Sequence, residues 1–243
     1  MSSVESIVDA GFAVRHAELA RGYGGGDPED PALVQAMQMV LHIPKDEPPA
    51  RSALLAAAAS AVVALCLDER VGPDGEWEQR YLTWKRSRIR KVARRARGAQ
   101  WLAAQQVDGV TVEVAGAQAR ALVPGPVGDI DARIKRLQIS GTELPFDAPE
   151  PGDPGIPVLW VNSDLGMTVG KAAAQVGHAS MLLAGAMPVR QAYAWAAQGF
   201  RCTVAEADPA RWGQLVGAGA AVAVRDAGFT EVAPGSMTVI AMP

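Results

Sequence analysis

The segment Ile156–Ala186 can fold in few ways, and it commits the chain to an α/β architecture. IPVLWV (Ile156–Val161) is a short apolar run rich in β-branched residues, the pattern of a buried strand. AAAQVGHASMLLAGA (Ala172–Ala186) is rich in Ala and Leu and free of Pro, the pattern of a helix. Between them Thr168 is expected as an N-cap. Gly170 is expected to leave the first-turn amide groups open, which makes the turn an anion site at a helix N-terminus. A second unit follows. AAVAVRD (Ala220–Asp226) is an apolar strand ending in a carboxylate, Ala227-Gly228 is a tight turn, APGS (Ala233–Ser236) is another, and MTVIAM is a last strand.

Lys171, Gln175 and His178 stand at i, i+4 and i+7. At about 100° per residue they share one narrow stripe of an otherwise apolar helix. Two readings of that stripe stand side by side. Three polar groups converging on one face make a site. Equally, a lone His on an apolar helix is commonly a satisfied core or rim residue, and Lys–Gln pairs decorate many surfaces. The phosphate loop G-x-x-x-x-G-K-[ST] is absent. Groups at the carboxyl ends of strands line the ligand crevice of open α/β sheets, which sets Asp226 beside the Lys171 face. No Ser-His-Asp or Cys-His arrangement is legible, so an oriented water is a better candidate than a covalent nucleophile.

VLWVNSDLGMTVGKAAAQVGHA, followed by VRDAGFTEVAPGSMTVIAMP, resembles the type-2 peptidyl-tRNA hydrolase family of archaea and eukaryotes over about Ile156–Pro243. The resemblance implies a three-layer α/β/α domain with a mixed four-stranded sheet. It implies hydrolysis of the ester that joins a peptide to the tRNA 3′ end, with tRNA as partner and no cofactor or metal. It carries catalytic roles to Lys171, Gln175, His178, Asp226 and Thr230, and substrate binding to the Pro234-Gly235-Ser236 turn; Gly170 joins the substrate-binding candidates through the anion site at the helix N-terminus. In the scheme that follows, Asp226 orients or deprotonates water, assisted by His178. Lys171 and the helix N-terminus hold the 3′-terminal phosphate or the oxyanion, and Gln175 and Thr230 position the ester. The sequence departs from the family in two places. Phe200 and Arg201 stand where Gly-Gln precedes a Lys-rich second strand, and the family's closing segment has no counterpart after MTVIAMP.

The 243 residues, 49% hydrophobic and 20% charged, suit one large or two small globular domains. A net charge of −3 does not by itself favour a nucleic-acid partner. Cys66 and Cys202 are too isolated for a disulfide framework or a metal motif, which fits a reducing cytoplasmic location. The start, MSSVESIVDAG, has early acids and no apolar signal region. The longest apolar run, Ala53–Leu67, is 15 residues, short of a bilayer span; it reads as a buried helix and gives no membrane partner.

The N-terminal half repeats the order of the C-terminal half. Residues 4–22 suggest a short amphipathic helix ended by GYGGGDPEDP. Then come a strand (AMQMVLHI), a helix (Ala53–Leu67), a helix (Glu76–Ser87), IRKVARRARG, a helix (AQWLAAQQVDG) and strands VTVEVAG and ARALVP. Trp84, Arg90 and Trp101 precede Trp195, Arg201 and Trp212 by a constant 111 residues, and VEVAG precedes VRDAG by 112. A tandem duplication forming an internal pseudo-dimer is expected, with a monomer in solution as one option. Its divisions are an arm at 1–30, a degenerate domain at 31–144, a Pro-rich linker at 145–157 and the hydrolase-like domain at 158–243. The first copy has Val114 where the second has Asp226, and Ser or Ala where the second has Lys171, Gln175 and His178. It keeps GPVGDIDARIKRLQISGTEL, which is similar to the family's closing segment. Lys85–Arg97 holds eight Lys/Arg in thirteen residues and no acid. This block is either a solvated face or an RNA contact, with Arg90, Arg94 and Arg95 as the phosphate-binding candidates. Against the hydrolase stand two other classes: a non-catalytic tRNA- or ribosome-binding module, and a protein-interaction scaffold.

Overall fold

The computed structural model describes residues 8–149, 153–219, 222–228 and 230–243. Helix α1 (Ala10–Ala20) is capped by the Asp9 carboxylate on the Phe12 amide. The remainder of the expected arm helix, residues 4–7, lies outside the described residues. Strand β1 (Gln35–His42) is followed by α2 (Arg51–Cys66), α3 (Glu78–Lys85), β2 (Arg90–Ala96) and α4 (Ala99–Ala104). Strands β3 (Gly109–Val114), β4 (Ala117–Leu122) and the two-residue β5 (Gly125–Pro126) precede α5 (Ala132–Lys135). The C-terminal half holds β6 (Val158–Asn162), α6 (Val169–Ala186), α7 (Val189–Ala197) and β7 (Thr203–Ala207). It continues with α8 (Pro209–Gly217), β8 (Val222–Arg225) and β9 (Met237–Met242). Of the strand expected over Ala220–Asp226, residues 220 and 221 lie outside the described residues. No helix of the described residues is long and apolar enough to cross a membrane.

The two halves build mixed sheets of the same plan. The first has the order β2-β1-β4-β3, with β5 beside β1, and the second has the order β7-β6-β9-β8. In each, the first two strands run parallel and the other pairings are antiparallel. Trp84 donates its indole N–H to the Arg90 carbonyl at 3.0 Å, and Trp195 donates to the Arg201 carbonyl at 2.7 Å. In each half an indole thus ties the helix to the chain at the start of β2 or just before β7.

Helices α2 and α6 form a shared layer between the sheets. Helix α2 packs on β3 and β4 of its own sheet and on β7 of the other; α6 packs on β8 and β9 and on β2. Thirteen of the sixteen residues of α2 are buried, as expected of a helix that is apolar all round. Met39, Val62, Val176 and Val239, drawn from both sheets and both helices, lie in one continuous core. Outside the sheets, α4 and α5 cover one outer face, where Trp101 meets Val40 and Ile134. Helix α8 covers the other through Leu215 and Ile240.

Polar contacts cross the shared layer both along the helices and at their amino ends. Ser60 donates to the Phe200 carbonyl and Ser180 to the Ala59 carbonyl, each at 2.8 Å. Arg51 pairs with Glu206 at 2.9 Å. Residues 138–147 run as a strap over the amino ends of both central helices. The Thr142 hydroxyl accepts from the Gly170 amide at 3.0 Å, and the Asp147 carboxylate accepts from the Ser52 amide at 2.9 Å.

Candidate active site

Lys171 and Gln175 are set one helical turn apart at the start of α6, where Thr168 accepts the Lys171 amide as N-cap. Both side chains reach one carboxylate. Asp226 Oδ2 accepts from Lys171 Nζ at 2.6 Å and from Gln175 Nε2 at 2.8 Å. Asp226 Oδ1 accepts from the Gly228 amide at 2.7 Å. The Lys171 and Asp226 side chains are each only 8% exposed. An enclosed pair of this kind is firmly held, since removing either partner leaves the other charge uncompensated. A carboxylate only accepts, so the amide nitrogen of Gln175 must face it. Thr238, fully buried in β9, fixes the other end by donating to Gln175 Oε1 at 2.7 Å.

The loop after β8 completes the site. Lys171 Nζ also donates to Thr230 Oγ1 at 3.1 Å, and Thr230 is exposed, so the ammonium group lies at the boundary between core and solvent. Gly228 has φ +80°, and a Cβ there would stand 2.4 Å from Pro234. Only glycine lets the two sides of the loop close. The Asp226 amide donates to the Ser236 carbonyl at 2.9 Å, and Gly235 donates back to the Asp226 carbonyl at 2.7 Å. Pro234, Gly235 and Ser236 therefore shape the loop around Asp226. Glu231 ties the loop to the helix, accepting from the Thr168 amide at 3.1 Å and its hydroxyl at 2.9 Å.

Lys171, Gln175, Asp226 and Thr230 thus come together, while other expected residues lie elsewhere. His178 turns to the junction between the halves, with its ring centroid 5.0 Å from that of Tyr23. Its Nε2 is buried without a partner among the described residues. Burial first, and then the Lys91 charge, hold it well below the usual histidine range. It is therefore neutral there, and the expected stripe splits because its third member faces β2. The Gly170 amide, expected open, is occupied by Thr142, which corrects the expectation of an empty helix N-terminus. The basic block is a strand, and its guanidinium groups are unequally placed. Arg90 grips Asp27 through two bonds of 2.6 and 2.8 Å. Arg94 is buried, donating to Gln38 Oε1 at 2.9 Å and the Leu137 carbonyl at 2.9 Å, which corrects its placement as an RNA contact. Arg95 bonds the Gln138 amide oxygen at 3.0 Å and stays partly exposed.

Three contributors were missed in the sequence. Glu231 and Thr142 act across 63 and 28 residues of chain, a separation that leaves no local pattern. Thr238 left a trace: it is a hydroxyl on an otherwise apolar strand, at a position that is fully buried. No group of three or more His, Cys, Asp or Glu among the described residues is placed to hold a metal ion. Cys66 and Cys202 are buried, and burial pushes their thiols up to about 11 and about 12, far from nucleophilic use.

Chemically, the arrangement offers a fixed carboxylate with lone pairs left for a water, and an ammonium group beside it for a developing negative charge. No curated protein and no solved structure matches the chain. The family model described as peptidyl-tRNA hydrolase PTH2 matches residues 156–243, the segment that holds Lys171, Gln175, Asp226 and Thr230.

Proposed function

We propose that the protein hydrolyses the ester bond of peptidyl-tRNA, releasing tRNA and free peptide. The observation that carries this reading is the Asp226 carboxylate held by Lys171 and Gln175 inside the segment that the hydrolase family model matches. Water bound to Asp226 attacks the ester carbonyl carbon, and its proton passes to the carboxylate. The tetrahedral oxyanion is stabilised by the Lys171 ammonium group, whose third N–H is not engaged by Asp226 or Thr230. Collapse breaks the bond to the ribose 3′ oxygen, which takes up the proton. Thr230, exposed at the mouth, hydrogen-bonds the ester end of the substrate.

The N-terminal half is, in this reading, a second copy of the same domain without the chemistry. The identical sheet orders and the repeated Trp–carbonyl bonds support a duplication. Its central helix has only Ala, Leu and Ser within Ser52–Ser60, and Val114 takes the position that corresponds to Asp226 in the aligned sequence. Phe200, a departure from the family pattern, is buried and accepts the Ser60 hydroxyl, so its place is in the junction and not in the site. Release of a blocked aminoacyl group from tRNA tests the reading. Lys171→Ala and Asp226→Asn are each expected to lower turnover at least 100-fold, as for loss of one oxyanion donor or a water-orienting group. A loss under tenfold for Asp226→Asn would remove it from the scheme.

A second reading, tRNA binding without turnover, is favoured by one observation: Thr142 fills the helix N-terminus that would hold an anion. Salt-sensitive tRNA binding with no hydrolysis by the unaltered protein would select it.

A further inference from the structure

Three arginines that hold no carboxylate among the described residues line one cavity at the carboxyl end of β2. Arg95, Arg97 and Arg136 line a cavity of about 230 Å³ together with Ile43, Gln100 and Gln138. Three other arginines of this half hold carboxylates. Arg90 holds Asp27, Arg80 holds Asp108 and Arg133 holds Asp131. Arg95 instead bonds a neutral amide, Gln138. The side chains of Arg97 and Arg136 have no hydrogen bond or ion pair among the described residues. The carboxylate that senses Arg136, Asp131, is already gripped by Arg133 at 2.9 and 2.7 Å. Three like charges around one cavity repel each other until an anion enters, and a planar guanidinium matches a phosphate edge with two parallel N–H bonds.

The cavity lies at the same end of α6 as Lys171. A Cβ on Gly141 would stand 3.1 Å from the Arg95 guanidinium carbon, and Gly141 also has φ +71°, so glycine is what lets the strap lie against this arginine. The next residue, Thr142, takes the Gly170 amide, and Lys171 follows Gly170. These contacts link Arg95 to the amino end of α6, which carries Lys171.

We propose that this cavity is a phosphate-binding site and that its ligand is a backbone phosphate of an RNA whose 3′ end lies at Lys171. The source of the phosphate rests on the hydrolase reading above; the anion site does not. A free phosphate is the other source of the same chemistry.

The test uses the full-length chain and the double variant Arg97→Gln/Arg136→Gln. Both residues are exposed and unpaired, so thermal stability is expected to stay unchanged. The control, Arg21→Gln/Arg201→Gln, removes the same charge from side chains that are 74% and 64% exposed elsewhere. Binding of deacylated tRNA is followed by fluorescence anisotropy from 50 to 200 mM salt, and inorganic phosphate by its effect on the melting temperature. We expect the double variant to bind tRNA at least tenfold more weakly at 100 mM salt. The slope of log K against log salt should fall by about 1.4 to 1.8, the loss of two phosphate contacts, while the control changes affinity by less than threefold. Stabilisation of the unaltered protein by inorganic phosphate, lost in the double variant while tRNA affinity and slope match the control, would overturn the RNA source and assign a free phosphate. No difference from the control in either assay would overturn the site itself. None of these readouts needs turnover, so an inactive enzyme would leave the result standing and would count against the hydrolase reading alone.

Discussion

Gln175 sets the geometry of the site, because its amide is held at both ends. Thr238 donates to its oxygen at 2.7 Å and its nitrogen donates to Asp226 at 2.8 Å. Thr238→Val keeps the shape and removes one donor. A buried amide oxygen without its partner costs about 1–3 kcal/mol, and the amide becomes free to turn its oxygen toward the carboxylate. The expected result is a fall in kcat of about tenfold with KM nearly unchanged, read by steady-state release of a blocked aminoacyl group from tRNA; an unchanged kcat would show that the amide's direction is immaterial. Lys91 gives a second prediction at this scale. Its ammonium group lies 5.2 Å from the Trp84 ring centroid and against the Met181 sulfur, and burial pushes it down to about 7. In the unfolded chain a lysine titrates near 10.4. Between those values the unfolded state binds the proton and the folded state does not, so stability rises with pH over about 7 to 10.4 and loses that gain as pH falls. Lys91→Met should abolish this slope. Urea unfolding at pH 7 and 9.5 should show the unaltered protein gaining about 1–2 kcal/mol relative to the variant, with the residue's partial exposure taken into account.

Glu231, in the loop after β8, couples that loop to the start of α6. Its carboxylate takes both the amide and the hydroxyl of Thr168, while Thr168 caps the same helix. Glu231→Ala should cost about 1 kcal/mol of stability, as loss of a cap does, and should raise KM several-fold by loosening Thr230, measured by thermal unfolding and steady-state kinetics. Gly228→Ala should do more. A methyl group 2.4 Å from Pro234 in a backbone with φ +80° cannot be accommodated by a side-chain shift alone, and a loss of about 2–3 kcal/mol with turnover below a tenth is expected. The strands and long helices were legible in the sequence because each has a regular apolar pattern: Ala53–Leu67 anticipates α2 within a residue or two, and Thr168 is the N-cap of α6. Lys171, Gln175 and Asp226 were legible for the same reason, since a polar residue at a helical interval on an apolar face, or at a strand's end, stands out. His178 was not, because periodicity places it within the stripe while the packing partner on that side is β2 of the other half. The opposing duties of Arg90, Arg94 and Arg95 were also hidden: one-dimensional charge density does not reveal that a strand alternates its faces between solvent, Asp27 and the core.

The two sheets share the α2–α6 layer, so the whole molecule is expected to unfold as one cooperative unit. Each central helix covers strands of both sheets, and the buried core runs through both halves without a break. The sequence suggested two domains joined by a linker, which would melt separately if each kept its own core; a shared layer couples them. Gly177 lies at the contact. A Cβ there would stand 2.7 Å from the Val62 side chain, and Val62 is fully buried and β-branched, so it has no free rotamer to move into. Gly177→Val should overpack this crossing and cost about 2–3 kcal/mol. For a chain of this length that lowers the melting temperature by roughly 5–10 °C. Calorimetry should record a single transition in both proteins, with calorimetric and van't Hoff enthalpies equal, because disruption of the shared layer removes the inner face of both sheets at once. Two transitions, with only one of them shifted by the substitution, would mean that each half is held by its own contacts and that the junction is a docking surface between independent domains. The same experiment bears on function: if the N-terminal half unfolds with the site, it holds Lys171 in place through Thr142 and Gly170. Its sequence is then constrained by the amino end of α6, even though it lacks counterparts of Lys171 and Asp226.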